Sequence, residues 1–172
     1  MTNKVIDSMM SHRSIRSYTD EPVDEKELDC IIRSVQAAPN WVNLQLVSVI
    51  AIKDARRRKL FSHLCGDQPH IAEAPVFLIF CADYNRVNIA CKEKGQTLDE
   101  VMQDIDTVIV GAHETGIALE AATVAAESLG LEQYPSATCA RTRGKSSANS
   151  NCRSMCSLCW DCVAAIRQTI PD

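Results

Sequence analysis

The stretch Pro75-Val76-Phe77-Leu78-Ile79-Phe80-Cys81-Ala82 carries no charged side chain and reads as a buried strand. Leu46 to Ile52 is a second nearly continuous apolar run, rich in β-branched residues, as expected of a strand covered on both faces. Between the two, Arg56-Arg57-Arg58-Lys59 starts a helix on which the basic run reads as a solvated face, and Gly66-Asp67-Gln68-Pro69 forms a turn. Upstream, Val23-Asp24-Glu25-Lys26-Glu27 opens another helix. Asp24 caps it, Glu27 completes a capping box, and Leu28, Ile31, Ile32 and Val35 make its apolar stripe until Pro39 ends it. A polar loop follows, Asn40-Trp41-Val42-Asn43-Leu44-Gln45. Downstream, Leu98 to Leu129 reads as one or two helices rich in small residues, among them Gly111, Ala112, Gly116, Ala118, Ala122 and Ala126. Small side chains let helices approach closely, which places this element in the core or at a subunit interface. Helices alternating with buried strands make the first 131 residues α/β or α+β.

A chain of 172 residues fits one domain with a real core, and 46% apolar with 23% charged residues is the composition of a soluble globular protein. The net charge of -4 argues against general nucleic-acid binding, so the basic clusters act locally. No stretch reads as approaching the length of a membrane span. Met1-Thr2-Asn3-Lys4 lacks the apolar core of a signal peptide, so the expected location is the cytoplasm with no membrane partner. The nine cysteines are unevenly placed. Cys30, Cys65, Cys81 and Cys91 are scattered, whereas Cys139, Cys152, Cys156, Cys159 and Cys162 crowd the segment after Leu131. Two compositions in one chain give a division into 1–131 and a Cys- and Ser-rich tail, 132–172.

The densest donor set lies near the start. His12-Arg13-Ser14-Ile15-Arg16 packs two guanidinium forks, a hydroxyl and an imidazole into five residues, which suits one phosphate group. Read alone, the same run also fits a basic helix end satisfied by its own carbonyls or by Asp20 and Glu21.

Company decides between the two. The basic run before a capped helix, the Ala37-Ala38-Pro39-Asn40 loop ending in Asn43 and Gln45, and the Gly66-Asp67-Gln68-Pro69 turn occur in one order. They are joined by Ala82-Asp83-Tyr84-Asn85-Arg86 and by Ala125-Ala126-Glu127-Ser128-Leu129-Gly130-Leu131. In this order the chain resembles the FMN-dependent nitroreductases, in particular the NADPH-dependent oxygen-insensitive nitroreductase and flavin reductase branch, from about Val5 to Leu131. The resemblance implies an α+β, nitroreductase-like fold with a central mixed sheet flanked by helices. It also implies a homodimer with FMN at the subunit interface. His12, Arg13, Ser14 and Arg16 match the positions that hold the FMN phosphate and ribityl chain. Asn40 and Asn43 match the loop beside the flavin ring, and Gln68 matches a glutamine near the ribityl or ring oxygens. A dianionic phosphate wants Arg forks and a flavin edge wants amides, so the chemistry agrees. Trp41 departs from the small residue usual there and either narrows the pocket or packs outward. The implied activity is a ping-pong cycle in which NADPH or NADH delivers hydride to FMN, and the reduced flavin passes two electrons to a nitroaromatic, quinone or flavin. The cofactor carries that chemistry, so no catalytic side chain is assigned.

After Leu131 the likeness stops. The family normally continues with a glycine-containing loop, roughly Gly-Thr-Val-Pro-Ile-Gly, where this chain has Glu132-Gln133-Tyr134-Pro135-Ser136-Ala137. Joining the third base of each codon to the first two of the next recovers that loop under permitted codon choices. Other junctions leave no choice: Asn151 to Cys152 must give Leu, Met155 to Cys156 Val, Cys159 to Trp160 Leu, Trp160 to Asp161 Gly, and Asp161 to Cys162 Leu. These letters fall where the family's tail has them. The expectation is therefore a coding sequence lacking one base at the Leu131-Glu132 junction, which leaves the C-terminal part truncated or altered. Arg141, Arg143 and Lys145 then lie in a Ser- and Asn-rich, loop-like stretch and are not carried over as ligands. The rival reading of the tail is a metal site. Cys152, Cys156 and Cys159 have the spacing of the cluster motif of radical S-adenosylmethionine enzymes, with Cys162 as a fourth thiolate. The codon agreement, and the lack of the barrel such enzymes use, outweigh it, so no metal ligand is assigned. A second class of function stays in view beside the reductase: a truncated, non-catalytic paralogue that at most binds flavin or a partner chain.

Overall fold

A computed structural model of the chain describes residues 3–136 and the backbone of residues 158–168. Helix α1 (Lys4–Ser11) is capped by Asn3, whose Oδ1 accepts the N–H groups of Val5 and Ile6. Helix α2 (Glu25–Ala37) carries the expected capping box. Asp24 Oδ1 accepts the Lys26 N–H at 2.8 Å, and Glu27 Oε2 accepts the Asp24 N–H at 3.1 Å. It ends at Ala38, where the residue before Pro39 is extended, as proline demands. A 3-10 turn (Trp41–Asn43) leads to strand β1 (Val47–Ile52), followed by α3 (Ala55–Leu64), α4 (Pro69–Glu73), β2 (Val76–Ala82) and α5 (Asn85–Glu93). A second 3-10 turn (Val101–Gln103) precedes the long helix α6 (Ile105–Ser128), and strands β3 (Leu131–Ser136) and β4 (Leu158–Gln168) complete the described elements.

The strands form one sheet in the order β1-β2-β4-β3. Every described pairing is antiparallel, from Val47↔Ala82 through Ile52↔Phe77 on one side of β2 to Val76↔Ile166 on the other. The parallel pairing that a mixed sheet would include is not among the described strands. The expectation that β1 is covered on both faces is corrected. Among the described strands it lies at the sheet edge, and of its six residues Ile52 alone is buried, while all seven of β2 are buried. The boundary placed after Leu131 falls at the start of β3, which shares the sheet with β4.

Strand β2 sends alternate side chains to two helical layers. Val76, Leu78 and Phe80 pack with Leu28 and Ile31 of α2 and Ala118, Ala122 and Ala126 of α6. Phe77, Ile79 and Cys81 pack on the other face with Phe61, Cys65 and Ile71 of α3 and α4. The small residues of α6 thus do what their spacing implied, admitting the helix close to the sheet. Arg58 departs from the solvated reading of its basic run: it is half-buried and donates to the carbonyls of Lys53, Ala72 and Pro75. The expectation of no span-length apolar stretch is corrected by α6, a 24-residue helix long and apolar enough to cross a membrane by length and composition. Its alanines and glycines spread a modest apolarity over many turns. One face packs on the sheet, while Ile105 and Ile109 on another stay 66% and 58% exposed.

Candidate functional site

Helix α1 stops at Ser11, His12 is its C-cap residue, and Arg13 to Arg16 runs on without helical structure. His12 Nδ1 lies 2.5 Å from Glu127 Oε1 near the end of α6, and Glu127 also receives Ser8 Oγ and Gln133 Nε2. His12 and Arg13 line a pocket of about 330 Å³ with Glu127, Gly130 and Leu131. Ile15 is tied to β3 by its N–H, which donates to the Gln133 carbonyl at 3.3 Å. Arg13, Ser14 and Arg16 are exposed. The helix-end alternative fails in one respect: His12 pairs with Glu127, far along the chain, and not with Asp20 or Glu21.

Arg16 goes elsewhere. Its guanidinium carbon sits 4.0 Å above the ring of Tyr134 on β3, and His70 meets the same ring edge-on at 4.9 Å between centroids. Burial, and then the positive charge of Arg16, push the His70 imidazole below its ordinary value, with Glu73 opposing. His70 belongs to α4, whose N-cap is Gln68. The turn read from the sequence before it takes the left-handed conformation at Gly66 and Asp67, and Ser62 Oγ donates to the Gln68 carbonyl at 2.6 Å. Tyr134 thus links Arg16 to the element that carries Gln68.

The third group is the loop after α2. Asn40, with Gln45, Ser48, Arg86 and Glu114, lines a cavity of about 430 Å³. Asn43 is exposed, and its Oδ1 receives Gln45 Nε2 at 3.3 Å. Trp41 is 56% exposed and lines a different, more apolar hollow with Ile109 and Ile117 of α6, a hollow that also takes in Asn40 and Glu114. Buried Glu114 and exposed Arg86 were missed in the sequence. Glu114 accepts the Trp41 N–H at 2.9 Å, and Arg86 donates to the Gln45 and Val47 carbonyls at 2.7 and 2.9 Å. Arg86 stood in a quoted motif, but no local signal ties it to a loop some forty residues away. Tyr134 and Glu127 were missed for the same reason, since each meets its partner only across the sheet or along α6.

The expected ligands therefore fall into patches. Glu127 and Glu114, which anchor two of them, are 13 residues apart on α6, about 20 Å at the α-helical rise of ~1.5 Å per residue. Among the described pockets none holds both the His12–Arg13 pair and Asn40. Cys152 and Cys156 lie outside the described residues, as do Arg141, Arg143 and Lys145.

The sequence profile of the nitroreductase family matches residues 9–166. The chain belongs to the nitroreductase family. Among its relatives, an FMN reductase (NAD(P)H) of Bacillus subtilis is 53% identical over 133 residues, 77% of this chain and 53% of the relative. An oxygen-insensitive NADPH nitroreductase of Salmonella typhimurium is 36% identical over 126 residues, 73% of this chain and 50% of that one. The chain thus spans about half the length of the curated relatives it matches. Of solved structures, NfrA2 of B. megaterium superposes with a TM-score of 0.93 at 38% identity, covering 99% of this chain and 68% of that one. The nitroreductase-like α+β fold is thereby established for this family member.

The donors fit FMN chemically. Exposed Arg13, Ser14 and Arg16 offer charge-assisted hydrogen bonds to a phosphate dianion, and Asn40 and Gln45 offer amides at a cavity wide enough for an aromatic edge.

Proposed function

We propose that this nitroreductase-family chain is an FMN-dependent oxidoreductase that uses NADPH or NADH to reduce nitroaromatics, quinones or flavins. The observation that carries the reading is the 53% identity to an FMN reductase, over a segment that includes enough chain to hold every candidate ligand. Bound FMN would supply the hydride acceptance and two-electron transfer. The chain's own part is to hold and orient. Arg13, Ser14 and Arg16 grip the phosphate, His12 is fixed by Glu127 so that Nε2 remains its outward polar atom, and Asn40 and Asn43 face the ring, with Gln68 beside the ribityl chain. His12–Arg13 and Asn40 stand at separate pockets within one chain, so the reading includes a homodimer in which each copy completes the other's site. Exposed Trp41, Val42, Ile105 and Ile109 supply an apolar surface for that contact. The reading also keeps the chain in the cytoplasm, away from nucleic acid and membranes.

The same reading treats 132–172 as a tail translated in a shifted frame. Supporting it are the codon agreement and curated matches of 126 to 133 residues, and against it stands the family profile, which runs on to residue 166. Resequencing the DNA across the Leu131 codon tests it, and an intact gene whose relatives share the Glu132–Asp172 tail would overturn it.

The function is tested by the spectrum of the purified chain with added FMN. A yellow protein that NADPH bleaches and a nitroaromatic recolours supports the reductase. Protein that stays colourless after reconstitution supports the non-catalytic paralogue instead.

A further inference from the structure

The loop between α2 and β1 has a backbone that its sequence does not favour. Val42, Asn43 and Gln45 all have positive φ, at 42°, 57° and 50°. Asparagine tolerates that region, but for β-branched Val42 it is a genuine outlier, and such outliers persist only where surrounding groups over-determine them. The side chain of Val42 offers no reason for it, being 67% exposed. The constraint comes from outside the loop. Glu114, on the sheet-facing side of α6 and only 3% exposed, accepts the main-chain N–H of Trp41, the residue just before Val42. At the other end Arg86 holds the carbonyls of Gln45 and Val47. Within the loop, Asn40 Oδ1 accepts the Gln45 N–H at 3.3 Å, and the Leu44 N–H returns to the Trp41 carbonyl at 3.0 Å. A carboxylate is an expensive group to bury for one neutral donor, which argues that its position answers to something besides stability.

We propose that Glu114 is a positioning residue: from inside the fold its carboxylate pins the Trp41 N–H and, with Arg86 at the far end, keeps the Asn40–Gln45 loop left-handed so that Asn40 and Asn43 face the flavin ring. This rests on the FMN reading above. A loop free of the pin relaxes at Val42 toward negative φ, which rotates the peptides on either side and turns Asn43 away.

Three substitutions and two readouts test it. Glu114→Gln keeps an acceptor oxygen, Glu114→Leu removes it, and Val42→Gly removes the cost of positive φ. Losing a buried acceptor and freeing the loop weakens FMN binding by about tenfold in Glu114→Leu, whereas Glu114→Gln stays close to the parent. Adding Val42→Gly to Glu114→Leu recovers most of the loss, because the loop then reaches its shape unpinned. The second readout needs no flavin. In a Trp160→Phe background Trp41 is the chain's remaining tryptophan; its emission shifts in Glu114→Leu and returns in the double variant. In the unsubstituted chain the Trp41 amide exchanges slowly with solvent despite its exposed side chain, a measurement that survives even if Glu114→Leu fails to fold. Fast exchange of that amide, Glu114→Gln as damaging as Glu114→Leu, or no recovery with Val42→Gly each overturns the proposal. A chain that shows the emission and exchange pattern but binds no FMN keeps the pin and refutes the cofactor reading instead.

Discussion

Gly111 brings α6 close to Ala82 at the end of β2, and adding one methyl group there tests the packing that places Glu114 a turn further along. A Cβ built on Gly111 lies 3.0 Å from Ala82 Cβ, 3.3 Å from Tyr84 Oη and 3.4 Å from Tyr84 Cε2. Carbon atoms settle at about 3.5–4.0 Å, and Ala82 Cβ is fixed to the backbone of a fully buried strand, so helix and strand must part by a few tenths of an ångström. Overpacking of this kind costs about 1–3 kcal/mol. Against it, alanine is worth about 1 kcal/mol more than glycine in a helix interior. The crowded Tyr84 hydroxyl, which donates to the Thr107 carbonyl at 2.6 Å, adds a share of one buried hydrogen bond, about 0.5–1.5 kcal/mol. The sum is a net loss of about 0.5–3.5 kcal/mol for Gly111→Ala. Gly116 lies five residues on in the same helix with nothing within 4 Å of a Cβ, so Gly116→Ala shows the propensity gain alone, about 1 kcal/mol. In a chain of this size 1 kcal/mol moves Tm by about 2–4 °C, so the two variants should differ by roughly 3–18 °C. Thermal unfolding followed by circular dichroism at 222 nm, with urea midpoints as a second measure, reads the difference. Equal midpoints, or Gly111→Ala the more stable, would refute the close approach of α6 to β2.

Three further outcomes follow from the same structure. Asp24→Ala removes the cap that accepts the Lys26 N–H, and should cost about 1 kcal/mol in urea unfolding, with Asp24→Asn retaining most of it. Because burial and Arg16 lower the His70 value, the unfolded chain binds the extra proton first as pH falls. Stability should be full above about pH 6.5 and decline below it, and His70→Gln should flatten that decline in a series of urea midpoints. Tyr84→Phe should lower stability by about 0.5–1.5 kcal/mol by removing the hydrogen bond to the Thr107 carbonyl. It should also remove a loss of stability at alkaline pH, since burial and the Glu114 charge raise the Tyr84 value and the folded state gives up its proton later than the unfolded one.

What was legible in the sequence was local. The Asp24–Glu27 box, the pre-proline stop at Ala38, the apolar run of β2 and the small-residue face of α6 are each written within a few residues, and each took the form expected. The direction of the strands, the edge position of β1 and the partners of Arg58 depend on how distant segments meet, and no spacing encodes that. The site divides in the same way. The basic run His12, Arg13, Ser14 and Arg16 stood out by its chemistry and Asn40, Asn43 and Gln68 by the family resemblance, but Glu127, Tyr134, Glu114 and Arg86 lie 39 or more positions from His12, Arg16, Trp41 and the Gln45 and Val47 carbonyls that they respectively engage. The left-handed Val42 was the least legible of all, because nothing about valine announces it.

The central claim is that the exposed run from His12 to Arg16 is a phosphate grip for a flavin, and the most direct test is to titrate the chain with FMN and with riboflavin, which differ by that phosphate. Charge-assisted hydrogen bonds to a phosphate are worth about 1.5–3 kcal/mol each, so FMN should bind at least about tenfold more tightly, and Arg13→Ala with Arg16→Ala should close the gap while leaving riboflavin binding unchanged. Equal affinity for the two flavins in the unsubstituted chain would contradict the assignment.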